Sequence, residues 1–240
     1  MKCATLLWTG ALIAFRAVAE VWYVPGWNRT AETNGLAYAC CTNVFKDADC
    51  RFWGWQGNER WSKSRRNSDQ AVDFLVAEIE GLALEQRENL TLVGHSLGAR
   101  LVAKALSRLA DRNLVIGQGI LLAPAMPNSA IELKTMGRGS RRPVLLVLNS
   151  RDVTLKYVYR AFGGEKGPAL GTHGPMEPLE NVVEHVCPPD ITNETSIERW
   201  WARSEIVKRV CNHLAVFYFK ELQKARDEQR VSLISPEKRE

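Results

Sequence analysis

The stretch Leu90-Thr91-Leu92-Val93-Gly94-His95-Ser96-Leu97-Gly98-Ala99-Arg100-Leu101-Val102 decides how this chain is read. Four strand-forming residues run into Gly-His-Ser-Leu-Gly, and a helical pattern leaves it at once, with Leu101, Val102, Ala105, Leu106 and Leu109 on one face. This is the strand, sharp turn and helix context of a nucleophile elbow. The pentapeptide by itself says little, since Gly-x-Ser-x-Gly arises by chance in about one chain in ten of this length. Its context carries the reading. A serine on so tight a turn holds strained backbone angles, and the positions two before and two after it must let neighbouring backbone close in, as Gly94 and Gly98 do. The same turn sets the Leu97 amide at a helix N-terminus, where unpaired N–H groups and the helix dipole favour an oxyanion. One turn thus supplies a candidate nucleophile, Ser96, and one candidate oxyanion donor, Leu97.

Outward from this stretch, strand patterns alternate with helical ones. Residues 20–24 are β-branched and aromatic and stop at Pro25-Gly26-Trp27-Asn28. Further strands read at 50–55, 114–122, 144–148 and 181–186, with the Leu90 to Val93 run between them continuously apolar, as in a parallel sheet buried on both faces. Helices are predicted over 31–41, from Asn67 (with Gln70 as its capping partner) to Leu82, from the elbow to Asp111, over 200–210 and over 214–224. Residues 56–66, 162–175 and 188–198 read as loops. The expected fold class is therefore α/β, one domain over 20–231 with a small, mainly parallel sheet flanked by helices on both faces. Residues 232–240 read as a flexible tail.

With 240 residues, 45% hydrophobic and 25% charged, the chain has material for one large core. A net charge of +5 is mild, and its densest basic patches, 63–66 and 138–142, read as solvated loop charge rather than a nucleic-acid surface. Met1-Lys2, a short apolar run from Cys3 to Phe15 and Ala17-Val18-Ala19 have the order of a secretory signal over 1–19, too short to span a bilayer. Export places the protein in the periplasm or medium; without it the chain is cytoplasmic. Six cysteines lack zinc-binding spacing. On export, Cys40 or Cys41 would bridge to Cys50, and Cys187 to Cys211; in a reducing compartment all are buried thiols.

If the elbow is functional, an acid and a histidine must follow it at the carboxyl ends of later strands. Asp152 lies four residues beyond the 144–148 strand, placed to orient a histidine and stabilise its imidazolium form. Of the four histidines, His95 sits inside the elbow and cannot curl back onto its neighbour, His173 lies in a Gly-rich loop and His185 in a strand. His213, just before the last helix, can swing across the strand tips, which makes it the candidate general base. The second oxyanion donor should come from the loop after the first strand, where Gly26 permits close approach and Trp27 offers its amide. Trp27 equally suits a pocket wall, and Trp53, Trp55 and Trp61 suit either the site mouth or the core. Each site residue also has a plain structural reading: Ser96 incidental in a Gly-rich turn, Asp152 a turn initiator, His213 a neighbour of a helix cap.

Val-Pro-Gly-Trp-Asn after the first strand, Val-Gly-His-Ser-Leu-Gly at the elbow, Val-Leu-Asn-Ser-Arg-Asp at the acid turn and Asn-His-Leu before the closing helix together resemble the α/β-hydrolase fold serine hydrolases, in particular their compact bacterial esterase-like group. The resemblance spans about Glu20 to Arg226. It departs where many relatives carry His-Gly and this chain carries Pro25-Gly26. It implies a carboxylic ester hydrolase working through an acyl-enzyme on Ser96, with Asp152 and His213, on a small ester or acyl substrate, with no metal or cofactor. The same residues would serve an acyltransferase or a thioesterase, and the fold could also persist in a binding protein without turnover.

Overall fold

The computed structural model describes residues 19–27, 31–162, 165, 167–187 and 215–228. Its elements run β1 (Glu20–Val24), α1 (Ala31–Val44), β2 (Asp49–Phe52), α2 (Trp61–Glu80), α3 (Leu84–Asn89), β3 (Leu90–His95), α4 (Leu97–Asp111), β4 (Gln118–Leu122), α5 (Leu133–Met136), β5 (Val144–Leu148), α6 (Tyr159–Phe162), α7 (Leu170–His173), β6 (Val182–Val186) and α8 (Ala215–Asp227). The six strands form one sheet in the order β2-β1-β3-β4-β5-β6, and every neighbouring pair is parallel. The sequence expectation of a small parallel sheet holds.

Side-chain alternation divides the core into two layers. Trp22 and Val24 of β1, Leu90 and Leu92 of β3 and Val144, Leu146 and Leu148 of β5 pack with Val72, Leu75, Val76 and Ile79 of α2 and with the apolar stripe of α4. Val21 and Tyr23 of β1, Val93 of β3, Ile120 and Leu122 of β4 and Leu145 and Val147 of β5 face the other way, onto α1 and α8. Both faces of the central strands are buried, so their sequences read as continuous apolar runs.

The strand order reverses between β1 and β3: the chain leaves β1 toward β2 on one side and returns to place β3 on the other. In open parallel sheets the crevice at the carboxyl ends of two such strands is where ligands bind. Here that crevice lies between the loop after β1, Pro25 to Trp27, and the turn after β3, which holds Ser96.

Two expectations along the chain need correction. The helix predicted to start at Asn67 starts at Trp61 and takes in the basic run at 63–66, which is therefore not loop. Tertiary contacts override the local cap signal: Trp61 is buried edge-on against Trp27 and Tyr159, and buried Ser64 donates to the carbonyls of Gly57 and Glu59 at 3.1 and 3.0 Å. Asn67 caps nothing and donates instead to the Gln56 carbonyl at 2.9 Å. The 162–175 stretch, read as loop, contains α7, and α3 and the helical turns from Thr154 to Phe162 had no periodic signal. The four described cysteines are free, and the Cys50 thiol donates to the Phe45 carbonyl at 3.9 Å. Residues 1–18, the helix expected at 200–210, Cys211 and the tail lie outside the described residues.

Candidate active site

Ser96 sits at the junction of β3 and α4 with φ 56° and ψ −118°, angles that a side-chain-bearing residue adopts only under constraint. The constraint is visible on both sides. The Ser96 amide donates to the Leu122 carbonyl at 3.0 Å, and its carbonyl accepts from the amides of Arg100 and Ala125, each at 3.1 Å. The two glycines have the role the spacing implied. A Cβ on Gly98 would lie 2.2 Å from the Val24 carbonyl oxygen and 2.4 Å from that of Pro25. A Cβ on Gly94 would lie 2.6 Å from the Gly98 carbonyl oxygen and from the Ala99 Cα. Helix α4 thus begins in direct backbone contact with the end of β1, which only glycine permits.

The loop after β1 closes on the serine from the other side. A Cβ on Gly26 would come within 2.9 Å of both the Ser96 Cβ and His95 Nδ1. Pro25-Gly26 therefore approaches the elbow as closely as the sequence reading requires. The loop is held at each end: the Pro25 carbonyl accepts from Trp55 Nε1 at 2.8 Å, and Trp27 donates its indole N–H to the Glu59 carbonyl at 2.6 Å. Trp27, half-buried, meets Trp61 edge-on at 5.1 Å, and Trp61 meets Tyr159 at 6.2 Å, forming an aromatic row beside the crevice. Trp53 and Trp61 are buried core residues, while Trp55 remains half-buried. Leu97, the other oxyanion candidate, is the first residue of α4, with its side chain fully buried.

Asp152 lies beyond the end of β5 with no exposed surface. Its Oδ1 accepts from the Leu155 amide at 2.9 Å, and its Oδ2 accepts from the Tyr218 hydroxyl at 2.7 Å. The turn is fixed from below: the Asp152 amide donates to the Asn149 carbonyl at 3.0 Å, and the Asn149 amide donates to that of Gly171 at 2.8 Å. Burial, and then the charge of Asp152, pushes the Tyr218 phenol far above its ordinary pKa, so it stays a donor throughout the working pH range. Tyr218 is a partner of the acid candidate that sequence reading missed. The signal was its place in Ala-Val-Phe-Tyr-Phe at the start of α8, since a hydroxyl in a fully apolar run needs a buried partner.

The candidate base His213 lies outside the described residues. Its sequence neighbour α8 begins at Ala215, and Tyr218 ties the first turn of that helix to Asp152. The other histidines are placed elsewhere. His95 is fully buried with its ring 5.8 Å from that of Tyr218, His173 is exposed and bonded to Thr172 Oγ1 at 2.7 Å, and His185 is buried and paired with Glu221 at 3.0 Å.

One turn along α4 from the serine, Arg100 is almost wholly buried. Its guanidinium makes a two-point contact with Asp69 at 3.0 and 3.1 Å and a third bond to Glu165 at 2.8 Å, while Glu165 also accepts from Tyr159 at 3.1 Å. Burial alone would weaken the charge of Arg100, but these carboxylates more than offset it and raise its pKa. The network joins the elbow helix to α2 and to the aromatic row. Among the described residues no cluster of three His, Cys, Asp or Glu could hold a metal ion, and no helix is long and apolar enough to cross a membrane.

Residues 57–192 match the sequence profile of a family described as proteins of unknown function (DUF726). Among curated proteins no relative is matched. Solved structures similar to this chain include an esterase from Pyrobaculum calidifontis, 10% identical over 90% of this chain and 78% of that one, with a TM-score of 0.46. They also include YbtT, the type II thioesterase from the yersiniabactin NRPS/PKS biosynthetic pathway (14% identity, 84% and 94% coverage, TM-score 0.41), and a carboxylesterase from Mesorhizobium loti (16%, 77% and 88%, 0.40).

Proposed function

We propose that this chain, which belongs to the DUF726 family of proteins of unknown function, is a serine hydrolase that cleaves carboxylic esters. The observation that carries the reading is the backbone of Ser96, held at φ 56° between β3 and α4 with Gly26 of the β1 loop against it. Constraint of that kind is kept where a side chain must be presented for chemistry. The hydroxyl stands at the crevice where the strand order reverses, and the acid candidate stands two strands away on the same sheet end.

In this reading His213 takes the Ser96 proton as the oxygen attacks the acyl carbonyl, and Asp152 orients the imidazole and stabilises its charged form. The amides of Leu97 and Trp27 hold the oxyanion. The protonated histidine then returns its proton to the departing alcohol. Water, activated by the same histidine, releases the acid and restores the serine. The aromatic row of Trp27, Trp61 and Tyr159 suits an uncharged substrate group beside the crevice.

Hydrolysis of short-chain nitrophenyl esters and labelling by a fluorophosphonate test the proposal together. Ser96→Ala should lower turnover by about 10⁴-fold or more and abolish labelling. Equal turnover by the two proteins would end the proposal. Export is a separate proposal resting on residues 1–19, and a mature protein that still begins at Met1 would refute it.

A further inference from the structure

We infer that Tyr218 is a positioning residue: its phenol fixes the orientation of Asp152 and takes a share of the carboxylate's charge, and through Asp152 it tunes the histidine base. The inference rests on the hydrolase reading above and adds a fourth residue to its machinery.

Both partners are wholly withdrawn from water. A carboxylate in that position must be matched by donors, and the 2.7 Å separation is that of an O–H donating to a charged oxygen. The phenol is itself held. The side chain of Asn149, at the foot of the acid turn, bonds to the Tyr218 oxygen; because the phenol's own proton points to Asp152, the amide must be the donor. A directed chain therefore runs from Asn149 through Tyr218 to Asp152. Buried Phe217 and Phe219 flank the tyrosine on α8, and Phe219 packs against Tyr23 at 5.4 Å, so the ring has a fixed seat. A phenylalanine would fill that seat equally well. The hydroxyl is what the packing does not require.

The surroundings leave the tyrosine as the donor from α8. The groups that face this pair are the His95 ring from β3, the Cys187 thiol just after β6, and Glu221 one turn further along α8 with its partner His185. Burial, and then the charges of Glu221 and Asp152, keep Cys187 a neutral thiol.

The direction of the effect follows. A donated O–H favours the charged carboxylate and draws charge from it, leaving less to stabilise an imidazolium. Without the hydroxyl, the triad histidine becomes more basic, and the carboxylate loses the phenol's fixed contact to Oδ2. In Tyr218→Phe the acid limb of kcat/KM should therefore move to higher pH by about 0.5–1 unit. At the same time kcat should fall about ten-fold with KM unchanged. Replacing Tyr218 by 3-fluorotyrosine strengthens the donor and keeps the ring, and should move the acid limb the other way.

Ester hydrolysis is measured against pH for the three proteins, with Tm and fluorophosphonate labelling of each. Opposite shifts of the acid limb support the inference. A folded, labelled Tyr218→Phe protein with an unmoved limb and unchanged kcat overturns it while leaving the hydrolase reading intact. If Tyr218→Phe does not fold, an unmoved limb in the 3-fluorotyrosine protein overturns it. Wild-type protein that neither labels nor turns over refutes the hydrolase reading, and the inference with it.

Discussion

The turn that carries Ser96 and the turn that carries Asp152 follow strands β3 and β5 of one sheet, yet they are held by opposite means. The first is shaped by what is missing: Gly94, Gly98 and Gly26 leave out side chains so that backbone meets backbone at separations no Cβ could occupy. The second is shaped by what is added: a buried carboxylate draws in the Leu155 amide, the Tyr218 hydroxyl and, through it, Asn149. A steric clamp tolerates no substitution but depends on neighbours only for their bulk. A polar clamp tolerates changes of shape but fails when one donor is withdrawn.

The sharpest way to break the contrast is Gly98→Ala. With its methyl 2.2 Å from a backbone oxygen of β1, it should cost about 3 kcal/mol or more in urea unfolding. A loss below about 1 kcal/mol would mean that the elbow backbone yields, and the clamp is not steric. Next in size is Arg100→Met, which leaves Asp69 and Glu165 without their shared cation. Because both carboxylates keep some contact with solvent, the expected loss is about 2 kcal/mol. Adding Glu165→Gln should recover part of it in a double-mutant cycle. Asn149→Ala removes one donor from the polar clamp and the side-chain acceptor of the Arg151 amide, and should cost about 1–2 kcal/mol. A loss as large as that of Gly98→Ala would erase the distinction drawn here.

The smallest effect concerns pH. Burial tends to raise the pKa of Asp69, but the bonds and charges of Arg100 and Lys104 outweigh it and hold it below the ordinary carboxylate value. Its stabilisation is therefore present above pH of about 4 and is lost as pH falls through the lowered folded-state value. Asp69→Asn should flatten the acid limb of the stability profile below that pH and leave its slope near neutrality unchanged.

The two turns also differ in how far the sequence reveals them. The elbow half of the steric clamp is local: glycines two before and two after a serine, between a strand pattern and a helix pattern, announce it within thirteen residues, while Gly26 and the β1 carbonyls that Gly98 meets lie outside that stretch. Asp152 could be found by the same logic, because it follows a plainly apolar strand. Tyr218 could not, since its partner lies 66 residues away and nothing in either neighbourhood points to the other. The start of α2 was hidden for a similar reason. The burial of Trp61 and Ser64 that draws 61–66 into the helix comes from Trp27, Tyr159 and the Gly57 to Glu59 turn, none of which leaves a periodic trace in the helix itself. Contacts within a turn are written in spacing, whereas contacts between elements are written only in the fold.

The distance between Asp152 and Tyr218 has a consequence in time as well as in space. A chain made at about 5–20 residues per second delivers the acid turn some 3–13 s before the helix that completes it. Throughout that interval the strands from β1 to β5 and the serine turn are already made, while Asp152 still lacks the Tyr218 hydroxyl. The serine turn is thus an early product of synthesis. The polar clamp around Asp152 is completed only when α8 docks, so it forms later than the serine turn.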